Sequence, residues 1–427
     1  MLPLLLLLAC PRPEQATPID TGSSADSGEV QDSGDTGPSW PEPECEELVW
    51  HEGDLLLESP TDWEAFCEAG FNAVRGDLFA DQIDLREPCL CEVSGHVQAT
   101  IHGTSEGVPS REGLTQLRSV GSMTAELYDV DLPRLERAEG DLFIAFVYQG
   151  PTELGLIEAG YVGVSGSTLH LPRLVRAEHL QIGADEAYLP ALVEVGTLRS
   201  HALTHLDVLE QATHITRLDQ DLVAPKLHTV GTFRVEYTVH DATPLSALSS
   251  LELLEIDSGE ANGRVVYLPG MPALEEVDEV DFMGCLDQVF GALGALKRVE
   301  GRLRVSQCEG DMSALPVERV GSLVVRQVDD EVVFPASLSR IDDKLVIEDN
   351  TETESIEGLQ AVAELGGKLR IERNRFLSGL DGLGGLERVG GDLVITGNGS
   401  LAQSEAEAFA AGLDVEGSVT IEHNWDD

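Results

Sequence analysis

Three histidines in the middle of the chain are the first side chains that could carry chemistry. His201, His205 and His214 lie close together in the sequence. His201 and His205 have the His-x-x-x-His spacing that places two rings on one side of a helix. Zinc, however, needs three or four ligands in a fixed geometry, and no cysteine lies near these histidines. We therefore expect histidines in solvated turns, and neither a metal site nor another cofactor.

Carboxylates are the second candidates, because the chain has 77 acidic residues. Polysaccharide-cleaving enzymes built on parallel β-helices use clustered carboxylates with Arg or Lys, and aromatic rings that stack on sugars. Here the carboxylates are spread along the chain, mostly beside Arg or Gly in predicted turns. The four tryptophans lie near the two ends: Trp40, Trp50, Trp63 and Trp425. No aromatic platform is therefore expected in the middle, and the sequence predicts a protein that is not an enzyme.

Two Asp-Thr-Gly triplets match the short signature of aspartic proteases, at Asp20–Gly22 and Asp35–Gly37. Those enzymes hold two carboxylates about 3 Å apart on buried loops, where the carboxylates share one proton. Neither triplet has hydrophobic strands around it, and both lie in a segment rich in Pro, Gly, Ser, Thr and Asp. We interpret the triplets as linker sequence.

The charge of the chain excludes several partners. The sequence has 27 basic and 77 acidic residues, which give a formal net charge of −50. Such a field repels phosphate backbones and anionic lipid surfaces, so we expect no nucleic-acid partner. Asp-rich turns leave weak calcium binding open, although the chain lacks the regular Gly-x-Asp nonapeptide of calcium β-rolls.

The N-terminus has the features of an export signal. Met1–Cys10 reads MLPLLLLLAC, an aliphatic run that ends at a small residue and a cysteine. The run is too short to span a bilayer, which needs about 20 apolar residues, but it suits a signal peptide. Leu7-Leu8-Ala9-Cys10 resembles the lipobox of bacterial lipoproteins. The resemblance implies that residues 1–9 are a signal peptide and that an acylated Cys10 anchors the protein to a membrane.

The composition changes sharply after Cys10. Low hydrophobicity and net negative charge predict a disordered acidic linker, which together with the lipidated Cys10 that the lipobox resemblance implies spans residues 10–44. At roughly 5–6 Å times the square root of its length, this linker would hold the folded part a few nanometres from the membrane. Six cysteines remain besides Cys10, an even number that suits three disulfides in an oxidising compartment.

The rest of the chain is repetitive, and the repeat indicates the fold. Its unit is Leu-x-x-Val-x-Gly-x-Leu-x-Ile, which is clearest at Leu296–Val305 and Leu386–Ile395. The central part has a tighter version with Leu-Pro-x-Leu, as at Leu171 and Leu189. Towards the C-terminus the strand leucines recur every 20, 22, 24 and 24 residues: Leu303, Leu323, Leu345, Leu369 and Leu393. A period of about 18 to 26 residues predicts a mainly β fold, a right-handed parallel β-solenoid.

An asparagine stands three residues after the strand isoleucine in each of the last four repeats. These residues are Asn350, Asn374, Asn398 and Asn424. We expect them to stack as a structural ladder at one corner. The same offset gives Cys308 after Val305 and Cys285 after Phe282. Stacked corners lie about 4.8 Å apart, within the Cα separation of a disulfide, so we predict a Cys285–Cys308 bridge. Two independent buried thiols are the rival interpretation.

The pattern Leu-x-x-Val-x-Gly-x-Leu-x-Ile-x-x-Asn resembles the receptor L domain, the irregular leucine-rich repeat module of growth-factor receptor ectodomains and microbial surface proteins. The resemblance covers Cys45 to Asn424. It implies a leucine-rich-repeat-like β-solenoid over residues 45–427 with a short helical N-terminal cap. An open alternative is that this solenoid consists of two L-domain-like halves that meet near residues 240–260. The segment Ser59–Trp63, where the predicted cap helix begins, resembles that family's cap.

The same resemblance bears on the first four cysteines. Carried over from the family, it implies a Cys45–Cys67 bridge, which leaves Cys89 and Cys91 for each other. A Cys-x-Cys bridge is strained, so pairing of either residue with Cys45 or Cys67 stays open. The implied role is binding, with no particular partner.

Together these features predict a cell-envelope lipoprotein on the outer membrane or cell surface of a Gram-negative bacterium. Its solenoid would be a non-catalytic scaffold for recognition of, or adhesion to, a protein or glycan that the sequence does not identify. The membrane would be its second partner, through the lipid anchor. One alternative is a structural spacer of the envelope. A second is a polysaccharide-active enzyme on a parallel β-helix.

Overall fold

The computed structural model describes residues 45–81, 88–101, 114–127, 132–146, 151–217, 221–236, 243–257, 268–328 and 330–425. The predicted signal peptide, Cys10 and the linker lie outside these residues. Within them the protein is mainly β, with 45% strand and 8% helix, and it forms a parallel β-solenoid. No helix of the described residues is long and apolar enough to cross a membrane.

Strands follow one another along the whole described chain. They are β1 (Trp50–Glu52), β2 (Leu55–Leu57), β3 (Ala73–Arg75), β4 (Leu78–Asp81), β5 (Glu92–Ile101), β6 (Ser119–Leu127), β7 (Arg137–Ala138), β8 (Leu142–Phe146), β9 (Pro151–Glu153), β10 (Glu158–Ser165), β11 (Thr168–His170), β12 (Arg176–Gly183), β13 (Glu186–Tyr188), β14 (Glu194–Ser200), β15 (Leu203–His205), β16 (Gln211–Arg217), β17 (Leu222–Val223), β18 (Thr229–Val235), β19 (Ser250–Asp257), β20 (Glu276–Val277), β21 (Glu279–Met283), β22 (Arg298–Ser306), β23 (Arg319–Arg326), β24 (Arg340–Ile341), β25 (Leu345–Glu348), β26 (Glu364–Leu365), β27 (Leu369–Glu372), β28 (Arg388–Val389), β29 (Leu393–Thr396), β30 (Asp414–Val415) and β31 (Val419–Glu422). The α-helices are α1 (Pro60–Glu68) and α2 (Gln403–Ala411), and two 3-10 helices span Asp287–Leu293 and Asp381–Leu383.

A parallel sheet of 26 strands forms the main wall of the solenoid. Each strand pairs with the strands one turn before and one turn after it, and we call one such turn a rung. The marker leucines are register partners, because Leu345 pairs with Leu323 and with Leu369. Alternate side chains such as Leu345 and Ile347 point into the core and are buried completely. The sheet continues from β18 through β19 to β21, where the sequence is least regular.

A second parallel sheet forms only in the middle of the chain. It consists of β17, β15, β13, β11 and β9 in that order. The Leu-Pro-x-Leu units follow these strands directly, as where Leu171 follows β11 and Leu189 follows β13. Leu189 is buried, and its N–H donates to the His205 carbonyl of the next rung at 3.0 Å. The proline lies outside the strand, where no sheet hydrogen bond is lost.

The glycine of the repeat allows successive rungs to approach closely. A Cβ atom on Gly321 would lie 2.3 Å from the carbonyl oxygens of Glu300 and Gly301. At Gly390 it would lie 2.4 Å from the Gly366 oxygen. Any side chain at these positions would push the rungs apart, so the glycine is required for space.

Left-handed backbone recurs at one corner of the C-terminal rungs. The residues with positive φ are Gly284 (69°), Gln307 (55°), Gln327 (53°), Asp349 (60°), Arg373 (54°), Gly397 (69°) and His423 (59°). Each stands immediately before the buried corner residue of its rung. Left-handed backbone is costly for residues other than glycine, so the packing of the corner must hold it in place.

The predicted asparagine ladder occupies this corner. Asn350, Asn374 and Asn398 are fully buried, and Asn424 is 7% exposed. The Asn374 Oδ1 accepts from the backbone N–H of Asn350 at 3.2 Å and from its Nδ2 at 3.0 Å. The Asn374 Nδ2 in turn donates to the Ile347 carbonyl and to Asn398 Oδ1, both at 3.0 Å. The ladder therefore satisfies buried backbone groups as well as its own amides.

Helix α2 ends the ladder with a glutamine. Gln403 Oε1 accepts from Asn424 Nδ2 at 3.2 Å, as the asparagine of a following rung would. Its Nε2 donates to the Ile421 carbonyl at 3.1 Å, the equivalent of the bond from Asn398 to the Ile371 carbonyl. Gln403 thus supplies two of the three hydrogen bonds that a following asparagine would make to this rung.

The N-terminal cap pairs its cysteines differently from the arrangement that the receptor L domain implies. The Cys45–Cys67 bridge is wrong, because Cys45 is bonded to Cys91 and Cys67 to Cys89. The extended segment that holds Cys89 and Cys91 runs beside the cap, which brings the Cα atoms of both pairs to 5.7 Å. This separation suits a disulfide, and no strained Cys-x-Cys loop is needed.

Helix α1 lies in the cap, as expected. Its first turn is held by Asp62, which accepts hydrogen bonds from the N–H groups of Glu58 and Ser59 at 3.0 and 2.8 Å. Trp63 and Phe66 face the core and are buried.

Further along the chain, the predicted Cys285–Cys308 bridge is confirmed, with both residues fully buried and their Cα atoms 4.4 Å apart.

Candidate anion-binding pocket

Six cations surround a small pocket on the outer face of the main sheet. They are Arg302, Arg304, Arg326, Lys344, Lys368 and Arg370, and the carboxylate of Glu348 lines the pocket with them. The pocket has a volume of about 240 Å³, and we call it the basic pocket. Val324 and Val346 form its floor and are each 5% exposed. A ring of positive charge around an apolar floor is unusual in a chain with a net charge of −50.

The register of four rungs assembles the basic pocket. Along one row of the sheet, Arg304 pairs with Val324, Val324 with Val346, and Val346 with Arg370. Two arginines therefore bracket the two valines of the floor. The neighbouring row begins with Arg302 and continues through Ser322 to the two lysines, which directly precede the paired leucines of β25 and β27.

Each arginine of the basic pocket has a carboxylate partner. The pairs are Arg302 with Glu279 (3.1 Å), Arg304 with Asp281 (3.3 Å), Arg326 with Glu348 (2.9 Å) and Arg370 with Glu348 (3.5 Å) and Glu372. The closest contacts of the first three use a terminal guanidinium nitrogen. The Nε atoms of all four are shielded from solvent and have no hydrogen-bond partner among the described residues. Each guanidinium is thus held on one side, and its donors are not all satisfied.

The two lysines are different, because neither has a carboxylate within ion-pair distance among the residues that the structure describes. Lys344 and Lys368 are half-buried and stand side by side on adjacent strands. Like charges opposite each other destabilise a sheet, and burial of their stems limits how far they can separate. An anion between them would replace this repulsion with two charge-assisted hydrogen bonds. They are also two of the four lysines in the whole chain.

Carboxylates enclose the basic pocket in the plane of the sheet. Glu279 and Asp281 lie one rung before its arginines, and Asp392 lies one rung after Lys368. Hydrogen bonds from Ser418 lower the pKa of Asp392, as does the charge of Lys368, so this carboxylate is ionised at neutral pH. The positive charge is therefore confined to a small area.

A larger groove lies in the middle of the chain. It has a volume of about 760 Å³ and is lined by small residues, including Ala159, Gly160 and Gly196. Arg176 and Glu194 on its wall form an ion pair of 3.5 Å. The exposed rings of His179 and His214 also line it. Because its charges are of both signs and paired, the groove does not select one ligand charge.

Two rows of rings lie in the middle of the chain, so the expectation of no aromatic platform there is wrong. One row, on the main sheet, joins the tilted rings of Phe143, Tyr161 and His179, with centroids 5.0 and 6.0 Å apart. The other, on the second sheet, joins His170, Tyr188 and His205, at 4.9 and 4.5 Å. The repeat brings these rings into register from positions about 18 residues apart in sequence, and the positions of the tryptophans do not reveal this pattern.

The three histidines do not converge. His201 lies in a bend, as expected, but His205 belongs to β15 and His214 to β16. His205 stacks on Tyr188, and its Nε2 lies 3.3 Å from Glu186. A hydrogen bond from the Tyr188 hydroxyl lowers the pKa of Glu186, and the contact with His205 adds to this effect. The described residues contain no group of three or more His, Cys, Asp or Glu that could hold a metal ion.

The fold and the pocket define a parallel β-solenoid with a localised cluster of cations on its main sheet. Comparisons with protein-family models, with curated proteins and with solved structures found no match. The similarity to the receptor L domain therefore rests on the sequence pattern alone.

Proposed function

We propose that this protein is a lipid-anchored scaffold of the cell envelope that recognises an anionic ligand at the basic pocket and catalyses no reaction. The observation that carries the proposal is the pair of half-buried lysines, Lys344 and Lys368, which form no ion pair with a carboxylate among the described residues. Two neighbouring charges of the same sign without a direct ion-pair partner are poorly explained by folding alone.

The negative charge on the rest of the protein would select which anionic ligands can bind. Carboxylates more than about 8–10 Å from the pocket are largely screened at physiological ionic strength, whereas the carboxylates that pair with its arginines offset part of its positive charge. An extended polyanion such as a nucleic acid would still meet the surrounding carboxylates along its length. Selective binding of small or isolated anionic groups is therefore the expected behaviour.

The proposed location follows from the N-terminal sequence. The lipobox-like segment ends at Cys10, and the three disulfides suit an oxidising compartment outside the cytoplasm. The outer membrane or cell surface of a Gram-negative bacterium fits both features. The acidic linker would then separate the solenoid from the membrane surface.

The spacer alternative is less well supported, because a purely structural role does not explain two neighbouring lysines of like charge on the surface of the sheet. The polysaccharide-active alternative predicts turnover, which a screen of product formation on acidic and neutral polysaccharides would detect. Binding without product would favour the scaffold.

The direct test is a calorimetric titration of the purified protein with sodium sulfate at low ionic strength. We expect saturable binding that weakens as salt is added, and a loss of about tenfold or more in affinity for K344Q/K368Q. K226Q is the matched control, since Lys226 is exposed and lies far along the chain from the pocket. Equal affinities in the two variants would refute the proposed site.

The anchor needs a separate test. Intact mass of the membrane-extracted protein, with and without reduction, should show an acylated Cys10 and six oxidised cysteines. An unmodified Met1 with free thiols would refute both the location and the anchor.

A further inference from the structure

We infer that the ligand of the basic pocket is an acidic sugar residue, a uronic acid or sulfated sugar, flanked by neutral sugars in a glycan chain. This inference rests on the proposed function and gives it a chemical class. Three features of the pocket carry it: the apolar floor, the small volume and the surrounding carboxylates.

The floor selects a ligand with an apolar face. Val324 and Val346 present methyl groups between the two arginines of their row. Contact with these methyl groups is favourable only for a ligand that also has C–H surface to bury. A sugar ring has a C–H face, and its carboxylate or sulfate lies at the edge. The ring can rest on the valines while its anionic group reaches Lys344 and Lys368.

The volume limits the size of the group that enters. A pocket of about 240 Å³ is smaller than the 300–1,000 Å³ typical of sites that enclose a drug-sized ligand. It suits one ring-sized group, so the neighbouring units of a chain must lie outside, on the sheet surface.

The carboxylates determine what those neighbouring units can be. Glu279 and Asp281 lie on one side of the cations and Asp392 on the other, each one rung away. In the strand direction Asp343 precedes Lys344, and Glu348 ends β25. A chain with an anionic group on every unit would place charges against these carboxylates. A chain with one acidic unit between neutral units would avoid that repulsion.

An acidic peptide fits less well. Extended peptides that bind to sheets add to an exposed edge, where backbone hydrogen bonds supply affinity. The basic pocket lies on the face of the sheet, where the strands already pair on both sides. It therefore offers an extended peptide no backbone partners.

The experiment compares oligomers of equal length by calorimetry on the full protein. The probes are hyaluronan fragments, with a carboxylate on alternate rings, polygalacturonate fragments, with one on every ring, neutral dextran fragments, polyglutamate and sodium sulfate. We expect hyaluronan fragments to bind about tenfold tighter than polygalacturonate or polyglutamate, and dextran not to bind. K344Q/K368Q should lose this binding, while K226Q should keep it.

A second variant tests the floor separately. V346T has nearly the same shape but puts a hydroxyl group in the floor. We expect it to weaken the binding of hyaluronan fragments several-fold more than the binding of sulfate. An equal loss for both probes would overturn the stacking of a sugar ring on the valines.

The outcomes distinguish the two levels of the proposal. Sulfate binding without preference for hyaluronan would overturn the acidic-sugar inference and leave an anion site. Polyglutamate binding as tight as hyaluronan would replace the sugar with an acidic peptide. Polygalacturonate binding as tight would overturn the requirement for neutral neighbours. Failure of every probe, sulfate included, would remove the proposed function as well.

Discussion

The middle and the C-terminal part of the solenoid satisfy the hydrogen bonds of their buried backbone groups in different ways. In the middle, from β9 to β17, a second parallel sheet pairs backbone groups that lie outside the main sheet. In the C-terminal part, from β22 to β31, the ladder asparagines and left-handed corners take this role. Both arrangements satisfy buried N–H and C=O groups, as any buried backbone requires. The second sheet occurs where the rungs are short, whereas the asparagine ladder occurs where the rungs are longer.

The two regions also differ in what they present to solvent. The shorter rungs bring rings into register, as in the stacks of Tyr161 and Tyr188. The longer rungs bring cations into register around Val324 and Val346. One continuous sheet therefore displays two chemically distinct surfaces, and the difference lies in the side chains at the outward positions.

The largest effect should come from the second sheet. In L189A the buried leucine that follows β13 is lost, and the cavity should destabilise the middle by about 3–4 kcal/mol. V193A is the matched control, because Val193 is 39% exposed and should change stability by less than about 0.5 kcal/mol. Hydrogen exchange resolved by peptide should show faster exchange in β11–β15 and not in β25–β31. Uniform loss of protection would contradict the view that the two regions are held separately.

Removal of a ladder asparagine should destabilise the C-terminal part nearly as much as L189A destabilises the middle. N374A leaves the N–H and Nδ2 of Asn350 and the Ile347 carbonyl without these partners, at a cost of about 3 kcal/mol. T351A, a change at an exposed neighbour, serves as control. Chemical denaturation monitored with region-resolved exchange should show the loss in β25–β31. A loss below about 1 kcal/mol would mean that water replaces the ladder easily.

The end of the ladder should show a smaller, graded effect. Q403A removes an acceptor for Asn424 and a donor to the Ile421 carbonyl near the surface, so we expect a loss of about 1 kcal/mol. Q403E keeps the acceptor and loses the donor, and it should fall between wild type and Q403A. Amide exchange in β31 would report both variants. Equal exchange in all three proteins would show that Gln403 does not cap the ladder.

The smallest effect on stability should be the loss of one ion pair, Asp349 with Arg373, at low pH. Two hydrogen bonds from Arg373, at 2.6 and 2.8 Å, lower the pKa of Asp349 against the opposing effect of burial. The stabilisation from this pair is therefore complete above the unfolded pKa of about 3.9 and is lost as the pH falls through the lower folded pKa. Because the pair is partly exposed, we expect a few tenths of a kcal/mol. Urea midpoints of wild type and D349N should differ at pH 6 and converge near pH 2; a constant difference would contradict this sign.

The C-terminal part could be predicted from the sequence because its repeat is regular. The spacing of Leu345, Leu369 and Leu393 gave the strands, and the fixed offset of the asparagines gave the ladder and the Cys285–Cys308 bridge. The N-terminal cysteines could not be paired in this way, since the cap has no repeat that places Cys45 relative to Cys91. Family resemblance then gave the wrong partner.

The basic pocket could have been found in the sequence, although it was missed. Five of its six cations flank the marker leucines directly, as Lys368 and Arg370 do around Leu369. Alignment of the rungs on those leucines would have placed these five cations in the two columns on either side of the leucines. Without that alignment they are scattered among many carboxylates. The unpaired state of the lysines depends on side-chain positions, which sequence spacing does not give.

The pairing of each strand with its immediate neighbours has a consequence for folding kinetics. Partners such as Asn350 and Asn374 are only 24 residues apart, so each new rung closes a short loop on a preformed surface. Structures dominated by local contacts fold faster than those that join distant segments. Folding can thus begin in any group of rungs, the disulfide-linked cap among them, and spread from there to the neighbouring rungs.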